Sequence, residues 1–100
     1  MAVNDKDVSG VIGVDEIVRV STNAEPRKLA GFLDAVMREN GKVTLQVVGA
    51  GALNQAMKAI AVARGYIAPN GKDFVCTPLF VTVGDTEEIT GMQLVVEYQK

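Results

Sequence analysis

The residues best suited to binding chemistry lie between Gly49 and Pro69, a stretch that contains no acidic residue. Gly49 and Gly51 follow an apolar run and precede a helical pattern, so a strand is predicted to turn directly into a helix there. Glycine leaves the backbone bare, and the amides at a helix N-terminus carry a partial positive charge that suits phosphate. The pattern indicates an anion partner, although a tight strand-to-helix turn needs small residues for its own geometry and a loose glycine pair is no fingerprint.

Two polar side chains and four cations extend this candidate site. Asn54 and Gln55, in the first turn of the helix that follows the glycines, can donate hydrogen bonds to phosphates or base edges. Two basic residues open the preceding helix and two lie along this one, so all four face one way if both helices begin at the same edge of a sheet. The alternative is an ordinary solvated helix face. The candidate nucleic-acid-binding residues are Arg27, Lys28, Gly49, Gly51, Asn54, Gln55, Lys58 and Arg64.

The charge distribution argues against a protein that coats nucleic acid by bulk electrostatics. The formal net charge is -2, whereas affinity for phosphates comes largely from clustered Lys and Arg. Between Glu39 and Asp73, however, the only charged residues are basic. The charge distribution therefore predicts a polarised surface.

Catalysis and metal binding are not predicted. The chain has no histidine and a single cysteine, Cys76, so it has no Ser-His-Asp arrangement and lacks the usual nitrogen ligand of zinc. The glycine segment lacks the lysine and hydroxyl of a phosphate-binding NTPase loop. Carboxylate pairs at Asp15 and Glu16, and at Glu87 and Glu88, are better explained as solvated charge. We expect no enzyme activity, catalytic residue, metal ion or cofactor, and we interpret the cysteine as a core residue.

Aromatic stacking platforms are scarce. Phe32, Phe74 and Phe80 fall in apolar patterns and are predicted to lie in the core. Tyr66, just after the second helix, is the one ring expected to be exposed near the cations. A reader of single-stranded RNA normally carries more exposed rings.

The first half of the chain is predicted to form a strand, a helix and a second strand. Alternation at residues 17–21 indicates the first strand. Pro26 suits the first turn of the helix, and Gly41 is a natural stop. The second strand begins at Lys42 and ends at Gly49.

The second half is predicted to form a helix and a hairpin. Gly65 is expected to close the helix. Pro78 interrupts a long apolar strand and implies an edge position or a bulge, because proline cannot donate to a central ladder. The predicted elements are a helix over 52–64, a strand over 74–83, a polar hairpin tip over 84–88 and a strand over 92–98.

This order predicts a two-layer α/β (α+β) sandwich, in which two helices cover one face of a four-stranded mixed sheet. The length indicates one domain over residues 16–100, preceded by an extension over 1–15 that is disordered or adds a short strand. No apolar run approaches the roughly 20 residues that span a bilayer. The acidic start lacks the pattern of a secretory signal, so we expect a cytoplasmic protein that does not bind membranes.

The run G-A-G-A-L-N-Q-A-M-K-A-I-A-V-A-R-G-Y-I-A-P-N-G, followed by Cys76 and Pro78 in F-V-C-T-P-L-F, resembles the stage V sporulation protein S family. The resemblance extends from about Glu16 to the end of the chain. It implies membership of the Alba-like group, whose members are small α/β nucleic-acid-binding proteins with a shared fold. It also implies a role in bacterial sporulation and development. In Alba proteins, lysines beside a proline at the start of the first helix contact nucleic acid, and E-P-R-K here is similar with its order altered.

The chain departs from the Alba pattern at three positions. Gly49 and Gly51 stand where Alba proteins carry arginines, and Gln55 stands where they carry a basic residue. The resemblance therefore implies a regulator that binds DNA or RNA weakly, as a homodimer or tetramer. The alternative is a dimeric protein–protein interaction module that has lost nucleic-acid binding. Salt distinguishes the two, because phosphate binding weakens steeply as salt rises whereas an apolar protein contact does not.

Overall fold

The computed structural model describes residues 17–84 and 88–100. Within them the predicted order of strands and helices is confirmed. The elements are β1 (Ile17–Arg19), α1 (Pro26–Asn40), β2 (Lys42–Val47), α2 (Ala50–Ile67), β3 (Phe74–Val83) and β4 (Ile89–Tyr98). The predicted extension over 1–15 and the carboxylates of Asp15, Glu16 and Glu87 lie outside the described residues.

The strands form one mixed sheet in the order β1-β2-β4-β3. The first two strands are parallel and the other neighbours are antiparallel. The register places Val18 beside Leu45 and Leu45 beside Leu94, so these buried side chains form one row under the helices. The predicted fold class is correct.

Helix α1 begins and ends where its sequence signals predict. Pro26 occupies the first turn, where the absent N–H costs nothing. Gly41 adopts a left-handed conformation with φ 74° and donates its N–H to the carbonyl of Met37 at 2.8 Å. The residues between them bury one apolar face, formed by Leu29, Ala30, Leu33, Val36 and Met37.

Helix α2 is longer than predicted, and Gly65 lies inside it instead of closing it. One glycine costs only about 1 kcal/mol in a helix interior, which the surrounding alanines outweigh. The chain leaves the helical path at a short 3-10 turn over Ala68–Asn70, and Gly71 follows with φ 73°. Met57 stands at helical spacing with the apolar residues Leu53 and Ile60 of this helix, which predicts a covered side chain, but it is 45% exposed. The buried face is Ala52, Ala56, Ala59, Ile60, Ala63 and Ile67.

Strand β3 is an edge strand, as Pro78 implied. Gln99 donates its backbone N–H to the carbonyl of Asp73 at 2.8 Å, which makes these two residues a hydrogen-bonded pair. Such pairs alternate along an antiparallel ladder, so Pro78 and its partner Leu94 form a non-hydrogen-bonded pair. The nitrogen of the proline therefore faces the open edge, and the ladder continues without a bulge.

The prediction that Phe80 lies in the core is wrong, because its side chain is 78% exposed. It pairs with Met92 on the helix-covered side of the sheet, in the same row as Val47. Val47 is the last residue of β2 in this row, and Phe80 belongs to the outermost strand of the sheet. The side chain of Phe80 therefore lies at a corner of the sheet and is left uncovered. The other two phenylalanines are covered as predicted: Phe74 is buried, and Phe32 packs against the core.

Cys76 is half-buried and packs against the core cluster, which agrees with its predicted place. Burial raises the pKa of its thiol, because a thiolate is poorly solvated there. A raised pKa keeps the group protonated and unreactive near neutral pH.

The position of Gly65 yields a stability prediction. A methyl group added there meets nothing within 4 Å, so Gly65→Ala should raise the free energy of unfolding by about 0.5–1 kcal/mol, as expected for an exposed helix interior. Urea unfolding followed by circular dichroism measures this change. As a contrast, Gly91→Ala should destabilise the fold, since its Cβ would lie 2.8 Å from the carbonyl oxygen of Val47. Equal unfolding midpoints for the two variants would contradict this packing.

Candidate nucleic-acid interface

A groove between the start of α1 and the middle of α2 brings together two of the predicted cations. Arg27 and Lys58 are both exposed and both line it. The groove has a volume of about 580 Å³. Its lining, here called the Arg27–Lys58 groove, consists of Glu25, Pro26, Arg27, Lys58, Ala61 and Val62.

A third predicted cation lies at the margin of the groove. Lys28 places its Nζ 3.2 Å from Oε2 of Glu25, the one acidic residue of the lining. Both side chains are largely exposed, so this ion pair contributes little to stability. It does offset the carboxylate, and the groove keeps a net positive charge.

The exposed face of α2 continues this surface. Helix α2 contains no acidic residue along its whole length. Asn54, one turn before Lys58, is exposed on it as predicted. Phosphates approaching this face meet no like charge from the helix itself.

Arg64 has a different environment from Lys58. Its Nε and one terminal nitrogen donate to the two carboxylate oxygens of Asp73 at 2.7 and 2.8 Å, and the backbone N–H of Phe74 donates to the same carboxylate at 2.8 Å. These bonds tie the end of α2 to the start of β3. The predicted phosphate contact at Arg64 therefore competes with a two-pronged ion pair, in a separate hollow beside Lys72.

The hydrogen bonds around Asp73 shift its titration. The hydrogen bond from Arg64, followed by the one from the Phe74 N–H, lowers the pKa of the carboxyl from its ordinary value of 3.8 to about 2. The same hydrogen bond and charge raise the pKa of Arg64. Both groups are ionised at neutral pH.

Gln55 and Gly51 hold the start of α2 against the loop before α1. Gln55 donates its side-chain N–H to the backbone carbonyl of Thr22 at 3.2 Å. A methyl group at Gly51 would lie 2.7 Å from the Cγ2 atom of Thr22, so any larger residue there requires the Thr22 side chain to move. Two residues that were predicted to contact nucleic acid therefore also fix the start of α2 against this loop.

Gly49 is the N-cap of α2, with φ 89° and ψ 159°. A positive φ of this size favours glycine, which explains the residue without any ligand. No side chain caps the helix, and its first turn carries no acid. Gly49 also lines a cavity of about 300 Å³ with Leu53, Phe80 and Met92.

Sequence reasoning missed Phe80 as a surface residue. Its ring is the most exposed of the large apolar side chains in the described part of the chain. The available signal was Pro78: an edge strand has a neighbour on one side only, so its outer side chains are covered only if a helix reaches that far. Tyr66, in contrast, is exposed as predicted. Tyr98 packs against Phe74, with Lys72 over its ring.

Residues 17–84 and 88–100 contain neither a metal-binding cluster nor a membrane-spanning helix. No three Cys, Asp or Glu side chains of these residues lie close enough together to hold a metal ion. None of the helices there is both long and apolar enough to traverse a bilayer.

The described elements define a small α+β domain with a positively charged groove on its helical layer. Residues 16–99 match the family described as Stage V sporulation protein S (SpoVS). Because this match covers more than half of the sequence, the chain belongs to that family, and the Alba-like group is consistent with its fold. Membership implies a sporulation-related role.

The lowered pKa of Asp73 predicts how stability depends on pH. A carboxyl whose pKa falls on folding stabilises the native state above its unfolded pKa, near 3.8, and loses this effect as the pH falls through about 2. Asp73→Asn should therefore destabilise the protein at pH 7 and have a progressively smaller effect between pH 4 and pH 2. Urea midpoints of both proteins across this range test it. If the difference between the two urea midpoints stays constant with pH, the ion pair is not the cause of the destabilisation.

Proposed function

We propose that this protein is a non-catalytic sporulation regulator that binds DNA or RNA weakly through the Arg27–Lys58 groove and the adjoining face of α2. The observation that carries the proposal is that Arg27 and Lys58, from two different helices, line one groove. The only carboxylate of that groove has a lysine partner. Clustered cations without competing acids are what phosphate binding requires.

The number of free cations sets the expected strength. Arg64 is paired with Asp73, so Arg27 and Lys58 are the cations that the groove offers to phosphate. Two neutralised phosphates give a slope of log K against log salt between about −1.4 for single strands and −1.8 for duplexes. This shallow slope suits a weakly binding regulator and fits a chain with a net charge of -2.

A charge-matched pair of variants tests the proposed surface. Arg27→Gln with Lys58→Gln should remove retention of labelled DNA and RNA and bring the salt slope close to zero. Lys72→Gln with Lys100→Gln removes the same charge from exposed side chains outside the groove and should leave retention and the salt slope unchanged. Electrophoretic retention across a salt series measures the effect. If both doubles bind equally, the groove is not the binding surface.

A second function, self-association, is favoured by the exposure of Phe80. Edge strands usually carry charged residues that prevent pairing with other chains. Strand β3 carries none, and Phe80 is 78% exposed on it. Pro78 interrupts the backbone donors of the open edge, so the contact that we propose between two copies relies on apolar side chains. Leu79 and Ile89 are also exposed, on the opposite face of the same hairpin.

The proposed self-association predicts a change in mass. Phe80→Lys should shift the protein from dimer or tetramer to monomer in sedimentation equilibrium, because a charge cannot be buried in an apolar contact without cost. Tyr66→Lys is the control, since this ring is also exposed but lies at the end of α2. If Phe80→Lys keeps the mass of the original protein, copies do not associate through this strand.

A further inference from the structure

We infer that the Arg27–Lys58 groove receives an unpaired base of a single-stranded nucleic acid, while Arg27 and Lys58 hold the phosphates on either side of it. The inference rests on the proposed function and specifies its substrate class. Its basis is that the lining combines apolar side chains with one cation from each helix.

The walls of the groove are apolar. Pro26 and Val62 are half-buried, and Ala61 contributes only a methyl group. A surface that contacts phosphates alone has no use for such walls. The faces of an unstacked base are apolar, and proteins that read single strands bind them against apolar or aromatic side chains.

Both helices contribute a cation to the lining of the groove, whose one carboxylate, Glu25, is paired with Lys28. Arg27 stands at the start of α1 and Lys58 in the middle of α2. The planar guanidinium of an arginine can stack on a base as well as pair with phosphate. The negative charge of a strand therefore meets one cation from each helix.

The size and the charge of the groove favour a single strand over a duplex. Its volume, about 580 Å³, lies within the range of sites that hold small organic ligands. In a duplex the bases are stacked inside, so only phosphates and groove edges would meet this surface. Two free cations give a duplex little binding free energy. A single strand gains additional binding free energy by burying a base in the groove.

Ala61 fills little of the groove because it contributes only a methyl group, and it also borders the hollow that holds Arg64. It is exposed on α2 and lines the groove between Lys58 and Val62. Leucine is nearly as good a helix former as alanine, so Ala61→Leu should fold normally while its side chain occupies the space. Ala35→Leu is the matched control, because Ala35 is exposed on α1 and does not line the groove.

The experiment compares three labelled probes at low salt: a 20-nucleotide thymidine strand, the same strand with abasic sites, and a duplex of equal length. The original protein should bind the thymidine strand most tightly. Ala61→Leu should weaken that binding by about 5- to 150-fold, the effect of losing one base contact, with an unchanged salt slope because both cations remain. Ala35→Leu should bind like the original protein.

The outcomes separate the inference from the proposed function. If the abasic strand binds the original protein as tightly as the thymidine strand, or if Ala61→Leu binds fully, the groove takes no base and the inference fails. The abasic comparison decides this without any variant. The inference can fail while the proposed function survives. This is the outcome if the groove takes no base but the Arg27→Gln, Lys58→Gln double variant still loses binding to the duplex. If no probe binds even at low salt, both fail.

Discussion

The packing of α2 through its alanines is the constraint on which the rest of the structure depends. The alanines of its buried face are almost completely inaccessible, and their methyl groups allow the helix to lie close to its neighbours. Gly51 extends this close approach to the N-terminal end, where an added methyl group would displace the Thr22 side chain. Because α2 is held in this way, Lys58 in its middle shares one groove with Arg27 at the start of α1. The packing of the core therefore determines where the two cations of the candidate surface lie relative to each other.

The order of the elements was predictable because local signals mark their ends. Pro26 and Gly41 bound α1 by backbone geometry that needs no tertiary contact. The length of α2 was not predictable from Gly65, because a weak local preference lost to the helix propensity of the surrounding residues. The exposure of Phe80 was hidden for another reason. An apolar strand pattern does not reveal whether the opposite layer reaches the outermost strand.

The candidate site was predictable in its residue types but not in their partners. Arg64 was indistinguishable from Lys58 in the sequence, yet its guanidinium bonds to Asp73, nine residues further along the chain. Gln55 bonds to Thr22 across 33 residues, a contact that only the folded chain creates. Distances between helices decide such pairings, and periodicity within one helix carries no information about them. What remained free for a ligand was therefore evident only after these contacts were known.

Pro78 has a consequence for the behaviour of the protein at high concentration. Its nitrogen points to the unpaired side of β3 and bears no hydrogen, so an added strand would meet a gap in the middle of any backbone ladder. Fibril growth requires every layer to repeat such a ladder without interruption. The outermost strand can therefore offer side chains to a neighbouring molecule while resisting conversion into amyloid.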